Sequence, residues 1–233
     1  MVTFPEFELL GPSIAAMSDK SDGDCGYHAD TPQDREQFLR AAGTDPGWCV
    51  GLRQVHGNVV LAVDATRAGQ GALRADDAPA DADGLITNVP GLGLLIGVAD
   101  CVPVLLYAGD GPAIGALHAG RESTFQNIVG AGVAAMVSHY GIDPKHLHAL
   151  IGPSISSPAY EVSEEIAARF EGAGLPVHGR CLDLWGANRQ QLLAAGVPED
   201  QITVDGRCTR SSHTFHSFRR GQNKQRNLVL LQL

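Results

Sequence analysis

The chain has 233 residues, 44% of them hydrophobic, with 28 glycines and a formal net charge of −9. That length suits one large α/β unit with enough apolar mass for a sizeable core. The acidic balance, and the lack of any Lys/Arg run interleaved with aromatics, argue against a general nucleic-acid-binding surface, though a local cluster of donors for a small anion stays open.

Residues 2–10 read as an opening strand and 18–30 as a polar loop. The N-terminal stretch has no basic segment leading into an unbroken apolar run, so no secretory leader is expected, and nothing is long enough to span a membrane. Thr31-Pro32 predicts a helix start, with Thr as N-cap and Pro at the first position. That helix runs through Phe38 and Leu39 to a stop at Gly43. Residues 48–55 and 59–63 are predicted strands joined through Gln54-Val55-His56-Gly57-Asn58, a turn signal that would put His56 at the end of a hairpin. The Ala/Asp/Gly-rich stretch 64–83 lacks periodicity and reads as a surface loop, long enough to be functional or mobile.

Strand character restarts at Asp83-Gly84-Leu85-Ile86-Thr87. The central stretch 92–121 then holds apolar runs at 94–98, 102–107 and 114–117, with a turn at Gly109-Asp110-Gly111. A helix is predicted from about Ser123 to Tyr140, ended by Gly141. Residues 147–151 form a strand, Ser163 caps a second helix, and Asp183 caps a third over 183–195 with Gly196 beyond its end. Short strands at 201–204 and 228–231 flank the cation-rich segment 207–226. Consecutive strands often pair as hairpins, so the pattern predicts an α+β or layered α/β protein. No GxGxxG motif follows a first strand and no Walker loop is present, which speaks against a doubly wound nucleotide fold.

Five cysteines, odd in number, scattered and without CxxC spacing, predict neither a disulfide framework nor a structural zinc ribbon. Reduced thiols in the cytoplasm fit best. Three residues stand at strand ends beside small residues: His56, Cys101 and His118. Two imidazoles and a thiolate could form a three-ligand metal site with an open fourth position. Taken alone, Cys101 reads more plainly as a buried small residue and His118 as a core histidine, and a Cys101 nucleophile with a histidine base is a third reading. Arg219 and Arg220 could clamp a phosphate or carboxylate, with Arg53 as a further anion contact; a solvated basic face is the plainer reading. His139, His146, His148 and His178 are assigned surface or capping roles, and Cys25, Cys49 and Cys208 structural ones.

A family likeness then emerges. Gln54-Val55-His56-Gly57, Ala82-Asp83-Gly84-Leu85, Ala99-Asp100-Cys101-Val102-Pro103 and Leu117-His118-Ala119-Gly120 come in order. Ile151-Gly152-Pro153-Ser154, Tyr160-Glu161-Val162, Leu182-Asp183-Leu184, Cys208-Thr209 and Phe215-His216-Ser217-Phe218-Arg219-Arg220 follow. Together they resemble the laccase-domain family, first described as multicopper polyphenol oxidoreductases and later as purine nucleoside phosphorylases with adenosine deaminase activity. The likeness is strongest over 48–233, with 1–47 divergent.

The resemblance implies a single-domain, layered α/β/β/α fold over 1–233 and a metal site, usually zinc with copper as the other candidate, at His56, Cys101 and His118. It implies phosphorolysis of adenosine, inosine, guanosine and methylthioadenosine, plus deamination of adenosine. Purine nucleoside and phosphate are then the partners of a cytoplasmic monomer or weak homodimer, with no nucleic acid and no membrane. Asp100 is expected to orient a ligand imidazole and to join Cys101 and His118 as catalytic residues; Arg53, Arg219 and Arg220 are expected to bind substrate. Where the family usually shows Trp-Arg-Gly-Thr, this chain has Arg121-Glu122-Ser123-Thr124, which puts a carboxylate where the family cation stands. A copper-dependent phenol oxidase and a catalytically impaired purine- or metal-binding protein are the competing functions.

Overall fold

Central strands buried on both faces build the molecule in layers. A computed structural model describes residues 1–27, 32–221 and 224–233. Its strands are β1 (Val2–Thr3), β2 (Ile14–Met17), β3 (Cys49–Gly51), β4 (Val60–Ala62), β5 (Gly84–Thr87), β6 (Gly93–Val98) and β7 (Val102–Ala108), followed by β8 (Ala113–Ala119), β9 (Leu147–Ile151), β10 (Val177–His178), β11 (Cys181–Leu182), β12 (Ile202–Val204) and β13 (Asn227–Gln232). The helices are α1 (Pro5–Glu8), α2 (Gln33–Ala41), α3 (Arg121–Phe125), α4 (Ile128–Tyr140), α5 (Glu164–Gly172), α6 (Leu184–Ala194) and α7 (Phe218–Gly221).

One sheet has the order β1-β2-β13-β6-β3 and the other β12-β9-β7-β8-β5-β4. Both are mixed: β3–β6, β4–β5 and β9–β12 are parallel, and the remaining pairs of these two sheets antiparallel. Alternate residues of each strand point to opposite faces. Leu94, Ile96 and Val98 therefore meet Leu85, Leu105, Ile114 and Leu150 between the sheets. On the far face of the second sheet, Val104, Leu106 and Leu117 pack with Val129, Val133 and Met136 of α4 and Leu192 of α6. On the far face of the first, Leu95, Leu228 and Leu230 pack with Phe38 and Leu39 of α2. The result is the expected α/β/β/α layering. Each buried aliphatic side chain contributes about 1.5–3 kcal/mol to it.

Several local readings need correction. Only Val2–Thr3 of the predicted opening strand is extended, and Pro5 begins a short helix because its fixed φ suits a first turn. The predicted Thr31 cap lies outside the described residues, while α2 itself starts after Pro32. The hairpin around His56 does not exist: β3 joins β6 in one sheet and β4 joins β5 in the other, so 52–59 crosses between sheets. The helix expected from 123 to 140 is two helices. Asn127 breaks it at φ +59, and its side chain accepts from Gly130 N at 3.1 Å to recap the second. All five cysteines are free, and no described helix is long and apolar enough to cross a membrane.

Candidate metal centre and its cleft

Strand pairing brings the central cysteine and histidine together. β7 and β8 run antiparallel with Val102 opposite Ala119 and Pro103 opposite His118. Cys101, one residue ahead of β7, therefore lies at the same sheet end as His118. His56 arrives from the crossover, held at φ +61. The donor atoms of His56, Cys101 and His118 all lie within 4.8 Å of one another. The two imidazoles meet edge to face, centroids 4.9 Å apart and planes at 78°.

One residue organises all of this, and it is not among the site residues expected from the sequence. Asp83 directly precedes β5, which pairs with β8 from Gly84 opposite Leu117. Its carboxylate is fully buried. Oδ1 accepts from His118 Nδ1 at 2.8 Å and from His56 N at 2.9 Å. Oδ2 accepts from Gly57 N at 2.6 Å and Val55 N at 3.2 Å. The backbone carbonyl of Asp83 also accepts from His118 N at 2.7 Å. A single side chain thus pins the turn that carries one ligand and orients the ring of another. With Nδ1–H committed to the carboxylate, Nε2 of His118 is left to face a metal. The available signal was Ala82-Asp83-Gly84 itself: an acid at the entrance of a wholly buried strand has to find donors.

The electrostatics follow from this packing. Burial by itself pushes the Cys101 thiol up, but the adjoining His118 and His56 outweigh it and hold the thiol well below its usual range. Burial pulls His118 down, and Cys101 and Asp83 outweigh that too, raising it. Asp83 is likewise pushed up by burial yet ends below the ordinary carboxylate range, because His118 and the backbone N–H groups of Gly57 and His56 hydrogen-bond to its charged form. The set is a thiolate beside an imidazolium, and a divalent cation can take the place of that proton. Two imidazoles and a thiolate suit a borderline-soft ion. Space is kept for it at Gly120, where a Cβ would stand 3.0 Å from Cys101 Sγ and 3.1 Å from His56 Cδ2.

These residues floor a cleft of about 780 Å³, whose walls include Arg53, Arg121, Glu122, Tyr160, Phe218 and Arg219. Arg53 is largely exposed and ion-paired with Asp81. The guanidinium of Arg219 lies 5.0 Å over the Tyr160 ring. Arg220 does not join it in a clamp. Its guanidinium donates to the carbonyls of Thr209 and Arg210, both at 3.0 Å, and to those of Ser212 and Phe215, tying down the loop before α7. Asp100 orients no imidazole, since that role has fallen to Asp83. Held at φ +81, Asp100 accepts from Thr209 Oγ1 at 2.7 Å and from Arg219 N at 2.6 Å, so it anchors the C-terminal segment over the cleft. Glu122 accepts from Arg121 Nε at 2.9 Å and from Arg169 Nη1 at 2.8 Å.

Known proteins resemble this chain over most of its length. A family model described as multi-copper polyphenol oxidoreductase laccase matches residues 21–232. A protein of Deinococcus radiodurans named purine nucleoside phosphorylase is 41% identical over 175 residues, 72% of this chain. That match spans only 63% of the Deinococcus protein. A Xylella fastidiosa protein of the same name is 36% identical over 94% of this chain and 87% of its own length. Among solved structures, the hypothetical protein YfiH of Bacillus licheniformis superposes with a TM-score of 0.88 at 29% identity, covering 94% of this chain and 92% of its own.

Proposed function

We propose a reaction for this chain, which belongs to the multi-copper polyphenol oxidoreductase laccase family: it is a metal-dependent purine nucleoside phosphorylase. The names of its relatives support that reading. The observation that carries it is the convergence of two imidazoles and a thiolate on the floor of a cleft with arginines in its walls. His56, Cys101 and His118 would hold the ion, and their donor set favours zinc. Such an ion, when bound, supplies an electrophile and an activator of water at neutral pH.

The chain's own residues do the rest. Asp83 holds the proton at His118 Nδ1 and fixes the ring. Phe218 offers an aromatic face to a purine, and the arginines of the walls draw in phosphate. In phosphorolysis a phosphate oxygen bonds to C1′ of the ribose as the C1′–N9 bond breaks. The electron pair leaves on N9, which takes up a proton. Adenosine, inosine, guanosine and methylthioadenosine are the proposed substrates. Deamination of adenosine is proposed as a second activity: water adds at C6 and ammonia leaves. The setting we infer is the cytoplasm, as a monomer or weak homodimer.

A copper phenol oxidase has less support, since several copper ions need several ligand groups and a single group of His, Cys and acids converges among the described residues. The test is an assay of metal-loaded protein with inosine and phosphate. Hypoxanthine release should require phosphate and fall at least about 100-fold in Cys101→Ala and His118→Ala. Ammonia release from adenosine without phosphate reads the second activity. Absence of turnover with every purine nucleoside refutes the proposal, and tight purine binding without turnover would mark an impaired binding protein.

A further inference from the structure

We propose that inorganic phosphate binds in the corner of the cleft formed by Arg121, Arg219 and the Tyr160 hydroxyl, and that Glu122 is the positioning residue that holds Arg121 there. The identification of the anion as the co-substrate rests on the phosphorylase reading.

Three observations lead to this corner. First, Arg121, Tyr160 and Arg219 line the same cleft as Cys101 and His118, and the Arg219 guanidinium lies 5.0 Å over the Tyr160 ring. The phenol is pushed up by burial against the pull of both arginines, so it stays protonated and can donate. Two guanidiniums and a hydroxyl donor in one cleft wall suit a tetrahedral oxyanion, which planar N–H forks bind with several parallel hydrogen bonds.

Second, Glu122 does not oppose an anion as an isolated carboxylate would. Its two oxygens are engaged by Arg121 and Arg169, and Arg169 is itself fixed 3.7 Å over the Phe125 ring. Two guanidiniums thus share the one Glu122 carboxylate, and Arg219 adds a further cation to the cleft wall, which suits an anionic ligand. Arg121 is tied only through Nε, and its terminal nitrogens have no other hydrogen-bond partner among the described residues. Asp100, the other carboxylate in the cleft wall, is already occupied by Thr209 and the Arg219 backbone.

Third, three other arginines at or near the cleft are committed elsewhere. Arg53 pairs with Asp81, Arg220 binds four carbonyls, and the buried Arg35 donates to the carbonyls of Cys25, Gly71 and Ala72. The Arg121-Glu122 pair thus reads as a relocated cation held in place by its acidic neighbour, not as the loss of one.

The experiment compares Arg121→Gln, Arg219→Gln and Glu122→Gln with the parent, using metal-loaded protein, inosine and varied inorganic phosphate. Both arginine variants should raise KM for phosphate by about tenfold or more, leaving KM for inosine and metal content unchanged. Glu122→Gln should raise KM for phosphate with little change in kcat, and Glu122→Asp should restore part of it. An unchanged KM for phosphate in the arginine variants overturns the assignment while leaving the phosphorylase reading intact. Should the parent show no phosphorolysis, that reading falls, and calorimetric titration with inorganic phosphate decides the subsite. Binding by the parent that is lost in Arg121→Gln supports it; no binding, or equal binding by both, overturns it.

Discussion

Replacing Asp83 by Asn is the sharpest perturbation of this structure. The substitution keeps the shape of the side chain but removes its charge and turns an –NH2 towards donors. The carboxylate receives His118 Nδ1, His56 N, Gly57 N and Val55 N, all within 3.2 Å, and is fully buried. Hydrogen bonds to a charged group contribute about 1.5–3 kcal/mol each, but they are not additive. Loss of one partner of a buried charged pair costs about 3–5 kcal/mol, a large share of a typical total stability. Asp83→Asn should therefore lower the unfolding free energy by about 3–5 kcal/mol in urea titrations. It should also weaken metal binding by about 10- to 100-fold in competition with a chelator, because the His118 ring loses its orienting partner.

The pH dependence has a definite sign. The folded-state pKa of Asp83 lies below its ordinary value of 3.8, so its contribution is complete above about pH 4. It is lost as the pH falls through the depressed folded value. The parent should lose this increment in acid, and Asp83→Asn should lack that part of the slope. A variant with parental stability and parental metal affinity would refute the idea that Asp83 organises the site.

Three further outcomes are expected. Gly120→Ala should reduce metal affinity by about tenfold, because the new Cβ would stand 3.0 Å from Cys101 Sγ; equal affinity in the same chelator competition would show that the space is not needed. Asn127→Ala should destabilise by about 2–3 kcal/mol, since it puts Ala at φ +59 and removes the cap on Gly130 N, whereas Asn127→Gly should cost far less; urea titrations separate them. Iodoacetamide near neutral pH should label Cys208 well before Cys25 or Cys49, as read by peptide mass. Burial raises the Cys208 thiol, but hydrogen bonds from Ser156 and Ser211 outweigh it and bring it to about 7, while burial pushes the other two up to about 11.

Much of the layered fold is legible because short continuous apolar runs mark strands buried on both faces. The runs at 94–98, 102–107 and 114–117 became β6, β7 and β8 nearly as read, and Ser163 and Asp183 cap their helices. The turn at Gly109-Asp110-Gly111 joins β7 to β8 as a hairpin, whereas the turn signal at His56 joins no such pair. The His56 turn is real, but its flanking strands pair with partners elsewhere in the chain, and no local pattern encodes that choice. Asn127 had the reverse problem: an unbroken helical period hid a residue in the left-handed conformation.

At the site, the residue types and their small neighbours singled out His56, Cys101 and His118, and resemblance to a family joined them. Thiolate and imidazole chemistry is intrinsic to the side chains, so those three were open to reading in one dimension. Their meeting depended on the register of β7 against β8 and on a crossover between sheets, which are long-range contacts. The supporting roles were decided the same way. Whether a carboxylate orients an imidazole or anchors a loop, and whether an arginine faces a cleft or a ring of carbonyls, depends on which donors lie within about 3 Å of it. Hence Asp83 took the role expected of Asp100, and Arg220 left the cleft to its neighbour. Chemical identity resides in the sequence; partnership is a property of the packed chain, because hydrogen bonds and ion pairs act over distances that only folding sets.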